Sequence, residues 1–258
     1  MAQSSSTGTV EAILTKPNSM KYSLIILLVG MGLGLLGWQW LSADSDVESA
    51  ASQLSLNPDV DPIPESAKVA TLGAGCFWCV EEVFHQTPGV LSAVSGYMGD
   101  TEESAEYGVV SSGRTRHAEV VQVHFDSEVI SFSALLDRFF ELHDPTTLDS
   151  QGPDHGPQYR SVIFYHDDIQ KLASEAKVRE LNEAKKFSRS IVTEVTKAPD
   201  FYVAEDYHQN FARLNPGHGY LRNFLYPKLK KLGMIVPTGS GFSLLPKGSS
   251  IKGSSSKP

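Results

Sequence analysis

The stretch that most limits how this chain can fold is Gly73-Ala74-Gly75-Cys76-Phe77-Trp78-Cys79-Val80-Glu81-Glu82, which holds both cysteines of the protein. Before it, Lys68-Val69-Ala70-Thr71-Leu72 is short, apolar and partly β-branched, and predicts a strand. After it, Val80, Val83 and Phe84 recur at helical spacing until Pro88-Gly89 ends the run. The cysteines therefore fall where a strand hands over to a helix across a glycine turn. A thiol there faces unpaired backbone N–H groups and the positive end of the helix dipole, which favour thiolate over thiol. Gly73 and Gly75 let the backbone turn sharply and leave the sulfur open. One helical turn also brings Cys79 within disulfide reach of Cys76. Cys76, nearer the helix start, is then the stronger thiolate and the attacker.

Several chemistries use a Cys-x-x-Cys pair. A structural zinc site needs two more ligands, but there is no second cysteine pair, and the eight histidines show no ligand spacing. Neither metal nor cofactor is expected. A thiol–disulfide oxidoreductase using Cys76 and Cys79 is the main alternative, because Cys-x-x-Cys after a strand marks the thioredoxin-like fold. The bulky Phe77-Trp78 between the cysteines instead suits a small apolar group held at the sulfur.

A nucleophile needs an acid or a base. Glu119 sits in His117-Ala118-Glu119-Val120-Val121-Gln122-Val123, flanked by apolar residues. A carboxyl there is paired, held protonated by a raised pKa, or a solvated strand glutamate. Tyr107 and Tyr159 lie in polar loops and read either as phenol donors or as core filling. Asp154-His155-Gly156-Pro157-Gln158-Tyr159-Arg160 concentrates polar residues between turns, as a site or as a self-bonded loop. Glu205-Asp206-Tyr207-His208-Gln209 reads as a polar, solvated helix face.

The globular part is expected over 66–237. Residues 1–21 are Ser/Thr-rich and read as a cytoplasmic N-terminal segment or the n-region of a signal. Residues 22–41 carry no charge and are long enough to cross a bilayer, as an anchor or as the core of a cleaved signal. Lys16 and Lys21 before this run, with Asp44, Asp46 and Glu48 after it, put the catalytic part on the non-cytoplasmic side. Residues 42–65 read as an acidic, proline-containing linker, and 238–258 as a Gly/Ser/Lys-rich disordered tail. A net charge of −8 argues against a nucleic-acid partner.

Within 66–237 strands and helices alternate. Strands are expected at Val90 to Tyr97, His117 to Phe125, Ser161 to Tyr165 and Ile191 to Thr196. Ser131 caps a helix to His143, and Asp167 or Asp168 caps one to about Lys186. Helices are expected at Ala204 to Leu214 and Tyr220 to Leu232, and loops at Thr101 to Ser112 and Asp144 to Tyr159. The class is α+β, with a mixed or antiparallel sheet layered against helices.

Gly75-Cys76-Phe77-Trp78 with Val80-Glu81 resembles the signature of A-type peptide methionine sulfoxide reductases. Gly96-Tyr97, Tyr107, His117-Ala118-Glu119, His143-Asp144-Pro145, Asp154-His155-Gly156, Gln158-Tyr159-Arg160-Ser161, Ala204-Glu205-Asp206-Tyr207-His208-Gln209 and Asn215-Pro216 to Gly219-Tyr220 follow in that family's order. The resemblance covers about residues 66 to 232. It implies a ferredoxin-like split β-α-β core with added helices, and reduction of methionine S-sulfoxide, in oxidised proteins and peptides or free. Carried across, Cys76 attacks the sulfoxide sulfur and becomes a sulfenic acid, and Phe77 and Trp78 hold the methyl group. Glu119 protonates the oxygen, Tyr107 and Tyr159 hydrogen-bond it, and Asp154 lines the site. The resemblance also implies a monomer regenerated by a thioredoxin-like or other thiol reductant. Many members carry a resolving cysteine after the late Gly-Tyr, where this chain has Leu221, and often a glycine where it has Cys79. Either Cys79 resolves the Cys76 sulfenic acid or the reductant attacks it directly.

Overall fold

Strand β1 (Lys68–Ala74) runs inside a six-stranded sheet in the computed structural model, which describes residues 62–238. Ala70 to Ala74 are all buried, so this strand has no solvent face. The chain turns at Gly75 into α1 (Phe77–His85) and returns as β2 (Val90–Met98). A turn of 3-10 helix at Glu102–Ser104 and the single helical turn α2 (Tyr107–Val110) lead to β3 (Ala118–Phe125). β3 inserts between β1 and β2, antiparallel to both. Helix α3 (Phe132–Leu142) follows, then the small hairpin β4 (Ser150–Gln151) and β5 (Asp154–His155), and then β6 (Ser161–Tyr165) antiparallel beside β1. Helix α4 (Asp168–Glu183) leads to β7 (Glu194–Lys197), parallel to β6, and β8 (Phe201–Val203) closes the far edge against β2. Two short helices, α5 (Phe211–Leu214) and α6 (Tyr226–Lys231), complete the order.

The sheet order is β7-β6-β1-β3-β2-β8. β1, α1 and β2 form a split β-α-β unit with β3 in the gap, and α3 carries the chain to β6 on the other side of β1. The α+β class, the split core and the mixed sheet are therefore as read from the sequence.

Side-chain alternation sorts the core. Leu72, Val121, Val123, Phe125 and Ile163 meet Val80, Val83 and Phe84 of α1 and Leu135, Leu136 and Phe139 of α3. Met98, Ala118, Val120, Val162 and Phe164 form a smaller cluster beneath Ala198 and Phe201. Each large apolar side chain buried this way stabilises the fold by at most about 1.5–3 kcal/mol. The expected caps are present. Ser131 Oγ accepts from Ala134 N–H at 3.1 Å, and Asp167 Oδ1 accepts from Gln170 N–H at 2.7 Å.

Four segments differ from the sequence reading. Thr101 to Ser112 is not all loop, since it contains α2. The helix expected over 204–214 is broken into a 3-10 turn at Asp206–His208 and α5, with Asn210 left-handed at φ 54°. Gln209 is the cause. Its amide accepts from Ser95 N–H at 3.1 Å and donates to Ser95 O at 2.9 Å, so its side chain pairs with β2. The helix expected over 220–232 begins as a π turn at Leu221–Leu225 and becomes α-helical only at Tyr226, where Pro227 fits because a first-turn N–H needs no partner. The strand expected from Ile191 begins only at Glu194. Among the described residues no helix is long and apolar enough to cross a membrane. The run at 22–41, like most of the linker and tail, lies outside the described residues.

β8 packs so closely on β2 that a Cβ at Gly96 would lie 2.4 Å from the Phe201 ring and from Tyr202 O. The backbone oxygen cannot move aside without unpairing the edge. Gly96→Val is therefore expected to destabilise the domain by about 1–3 kcal/mol, read as a lower urea midpoint. An unchanged midpoint would show that β8 contributes nothing to stability.

Candidate active site

The glycine turn after β1 places Cys76 at the N-cap of α1, with Gly75 at φ +88°. A Cβ on Gly75 would lie 2.7 Å from the Gln151 side chain, so the β4–β5 hairpin sits directly on the turn. Beneath it, β3 presents Glu119 on the same face as Val121, Val123 and Phe125. Phe77 N–H, the first of α1, donates to Glu119 Oε2 at 3.0 Å. Glu119 is 2% exposed. Burial raises its pKa to about 8, opposed by the Phe77 N–H and helped by the charges of Asp154 and Cys79. The carboxyl is therefore mainly protonated at neutral pH.

The thiols depart from the sequence expectation. Cys76 does sit at the helix start, but its pKa is raised, not lowered. Burial is the main cause, followed by its contact with Cys79 and then by Glu119 and Asp154. The nearest helix N–H has already gone to Glu119. The Cys76 S–H donates instead to Cys79, whose pKa is lowered first by that bond, against its own burial, and then by Lys228 and Tyr220 O–H. Of the two, Cys79 is the sulfur whose neighbours favour the thiolate; it is 3% exposed, while Cys76 keeps partial exposure.

Tyr107 on α2, Tyr159 on the 3-10 turn Pro157–Tyr159 and Asp154 on β5 come to the same place. Both phenols lie within electrostatic reach of Cys76, Glu119 and Asp154. Burial, then these neighbouring groups, raises both phenol pKa values, so each remains an O–H donor. Burial also raises Asp154, which accepts a short hydrogen bond from Tyr220 O–H.

Phe77 is 1% exposed and packs near Tyr97 and His208, at ring separations of 5.8 and 4.9 Å. Trp78 forms the open wall. Its ring stacks on Phe211 at 3.7 Å and 9°, and its indole N–H donates to His208 Nδ1 at 3.0 Å. Burial lowers the His208 pKa, and an acceptor at Nδ1 leaves the proton of the neutral ring on Nε2. Glu205 accepts from Tyr97 O–H and from Tyr107 N–H, each at 2.8 Å, and so fixes the start of α2. All eight site residues expected from the sequence thus converge.

Tyr220, Phe211 and the inward roles of Glu205 and His208 were missed. The 205–209 segment read as a solvated helix face; its break at Asn210 turns these polar groups inward. The density of polar residues there was the available signal.

The sequence model for peptide methionine sulfoxide reductase matches residues 68–235. The peptide methionine sulfoxide reductase MsrA of Natronomonas pharaonis is 50% identical over 161 residues, covering 62% of this chain and 90% of that protein. Among solved structures, reduced Mxr1 from Saccharomyces cerevisiae is similar with a TM-score of 0.58 and 34% identity, over 62% of this chain and 92% of that one. Methionine sulfoxide reductase A of Corynebacterium diphtheriae gives a TM-score of 0.53 and 32% identity, over 59% and 77%.

The buried carboxyl gives a direct spectroscopic expectation. An infrared difference between the protein and Glu119→Gln should contain a protonated-carboxyl band at pH 7 that disappears as the pH passes about 8. Subtracting the variant matters because Glu81, also pushed up to about 8 by burial, contributes a band of its own. A Glu119 band already lost at pH 6 would contradict the protonated state.

Proposed function

This chain belongs to the peptide methionine sulfoxide reductase family, and from that premise we propose that Cys76 and Glu119 together carry out reduction of the S-sulfoxide. The family activity is reduction of methionine sulfoxide to methionine. The observation that carries the assignment of roles is the buried, protonated Glu119, held at Phe77 N–H beside Cys76.

A sulfoxide oxygen leaves poorly unless it is protonated. The Cys76 sulfur attacks the sulfoxide sulfur and passes its proton to Cys79 along their hydrogen bond. Glu119 gives its proton to the oxygen, and the O–H groups of Tyr107 and Tyr159 steady the charge that develops there. Asp154 lines the site and aligns Tyr220. Phe77 and Trp78 receive the methyl group. The protonated oxygen passes from the methionine sulfur to Cys76 as the newly formed bond between the two sulfurs breaks with its electron pair going to methionine, so that methionine departs and Cys76 is left as a sulfenic acid. Methionine sulfur gains two electrons and Cys76 loses two. Cys79 then attacks the sulfenic sulfur, water leaves, and a Cys76–Cys79 disulfide forms. A thioredoxin-like dithiol restores both thiols.

The same reading makes the domain over 66–237 a monomeric repair enzyme for oxidised proteins and peptides, and for free methionine sulfoxide. The uncharged run at 22–41 delivers it to the non-cytoplasmic side, as an anchor or as a removed signal.

Glu119→Gln is expected to lower kcat for a blocked methionine S-sulfoxide by about 10²–10⁴ while leaving thiol–disulfide exchange near its normal rate. Full sulfoxide activity in that variant would remove the acid role. Turnover of the R isomer alone would overturn the substrate assignment. Cys79→Ser should stop after one methionine per enzyme with a dithiol protein as reductant; normal turnover would exclude Cys79 as the resolving residue.

A further inference from the structure

Cys76, Cys79, Asp154, Tyr220, Phe224 and Lys228 share a small cleft of about 60 Å³. The two sulfurs differ in access and in surroundings. Cys76 is partly exposed, and Cys79 is sealed at 3% exposure. Cys79 faces the Tyr220 O–H and the Lys228 ammonium across the cleft, with Asp154 opposing them. Lys228 comes from α6, just after the π turn that carries Phe224 to the cleft edge.

Resting on Cys79 as the resolving cysteine, we propose that the reductant's thiolate attacks Cys76 of the Cys76–Cys79 disulfide and expels Cys79. Lys228 and Tyr220 hold the departing sulfur. Attack requires a line to the sulfur, and only Cys76 offers one. Departure is faster for the sulfur whose negative charge is better stabilised, and that sulfur is Cys79. The bond between the reductant and Cys76 forms as the Cys76–Cys79 bond breaks, and the bonding pair goes to Cys79. The second thiol of the dithiol reductant then attacks the reductant sulfur bound to Cys76, closing the reductant's disulfide and freeing Cys76. The enzyme gains two electrons and the reductant loses two. Lys228 acts through Cys79, without touching the sulfoxide.

The test begins with the full chain turned over once on a blocked methionine S-sulfoxide and mapped by mass spectrometry. Cys76 sulfenic acid with free Cys79 would sink the resolving role, and this proposal with it. Given the disulfide, the uncharged monothiol 2-mercaptoethanol is added and the earliest product is quenched with N-ethylmaleimide. The expected product carries mercaptoethanol on Cys76 and maleimide on Cys79. Mercaptoethanol on Cys79 would reverse the direction of attack while leaving the resolving role intact. Lys228→Met, isolated as the Cys76–Cys79 disulfide, should react with the thiol about three- to tenfold more slowly than the unaltered disulfide, with Lys228→Arg restoring the rate. An unchanged rate would remove Lys228 from the step.

Discussion

The hydrogen bond from Phe77 N–H to Glu119 joins the start of α1 to the start of β3 at the point where the cysteine turn lies over the sheet. Without it, a helix N–H and a carboxyl would both be buried without that partner, at about 1–3 kcal/mol each. The bond therefore seats the helix, and with it both cysteines. It also divides the carboxyl between two tasks, since Oε2 is occupied by the backbone. The proton is left to face the substrate side. One contact thus serves as a joint of the fold and as an orienting device for the acid.

That joint explains which parts of the site could be read in the sequence. Glu119 stood out because it shares a strand face with Val121, Val123 and Phe125, where a carboxyl has no solvent to meet. The location of Cys76 followed from the strand, the glycine turn and the helix spacing, all local signals. Its protonation state did not. It depends on burial, on the contact with Cys79, on Glu119 taking the helix N–H, and on Asp154 from a distant hairpin. Local rules assign that N–H to the sulfur; tertiary structure assigns it to the carboxyl.

The same limit applies to residues 205–209. Their helical reading fails because Gln209 pairs with Ser95 on β2, a partner far away in the chain. The break turns His208 toward Trp78 and brings Phe211 against its ring. α1 reinforces this segment from its inner face, where Glu82 binds Arg213 at 2.7 Å and Glu81 faces the backbone of Asn210. A helix with two buried carboxyl groups is costly as an apolar packer. Here those groups fasten the strand-to-helix junction to the segment that holds the tryptophan wall.

The small cluster on the far side of the sheet has a separate consequence. Met98 lies there at 1% exposure, covered by its neighbours beneath Phe201, whereas Met234 is only half-buried. A thioether becomes polar when it takes up oxygen, and within this sheet such a change would break the packing of β2 against β8. An enzyme that works where methionines are being oxidised must not become its own substrate. Sealing this thioether under an aromatic edge makes the repair machine durable under the stress that calls for it.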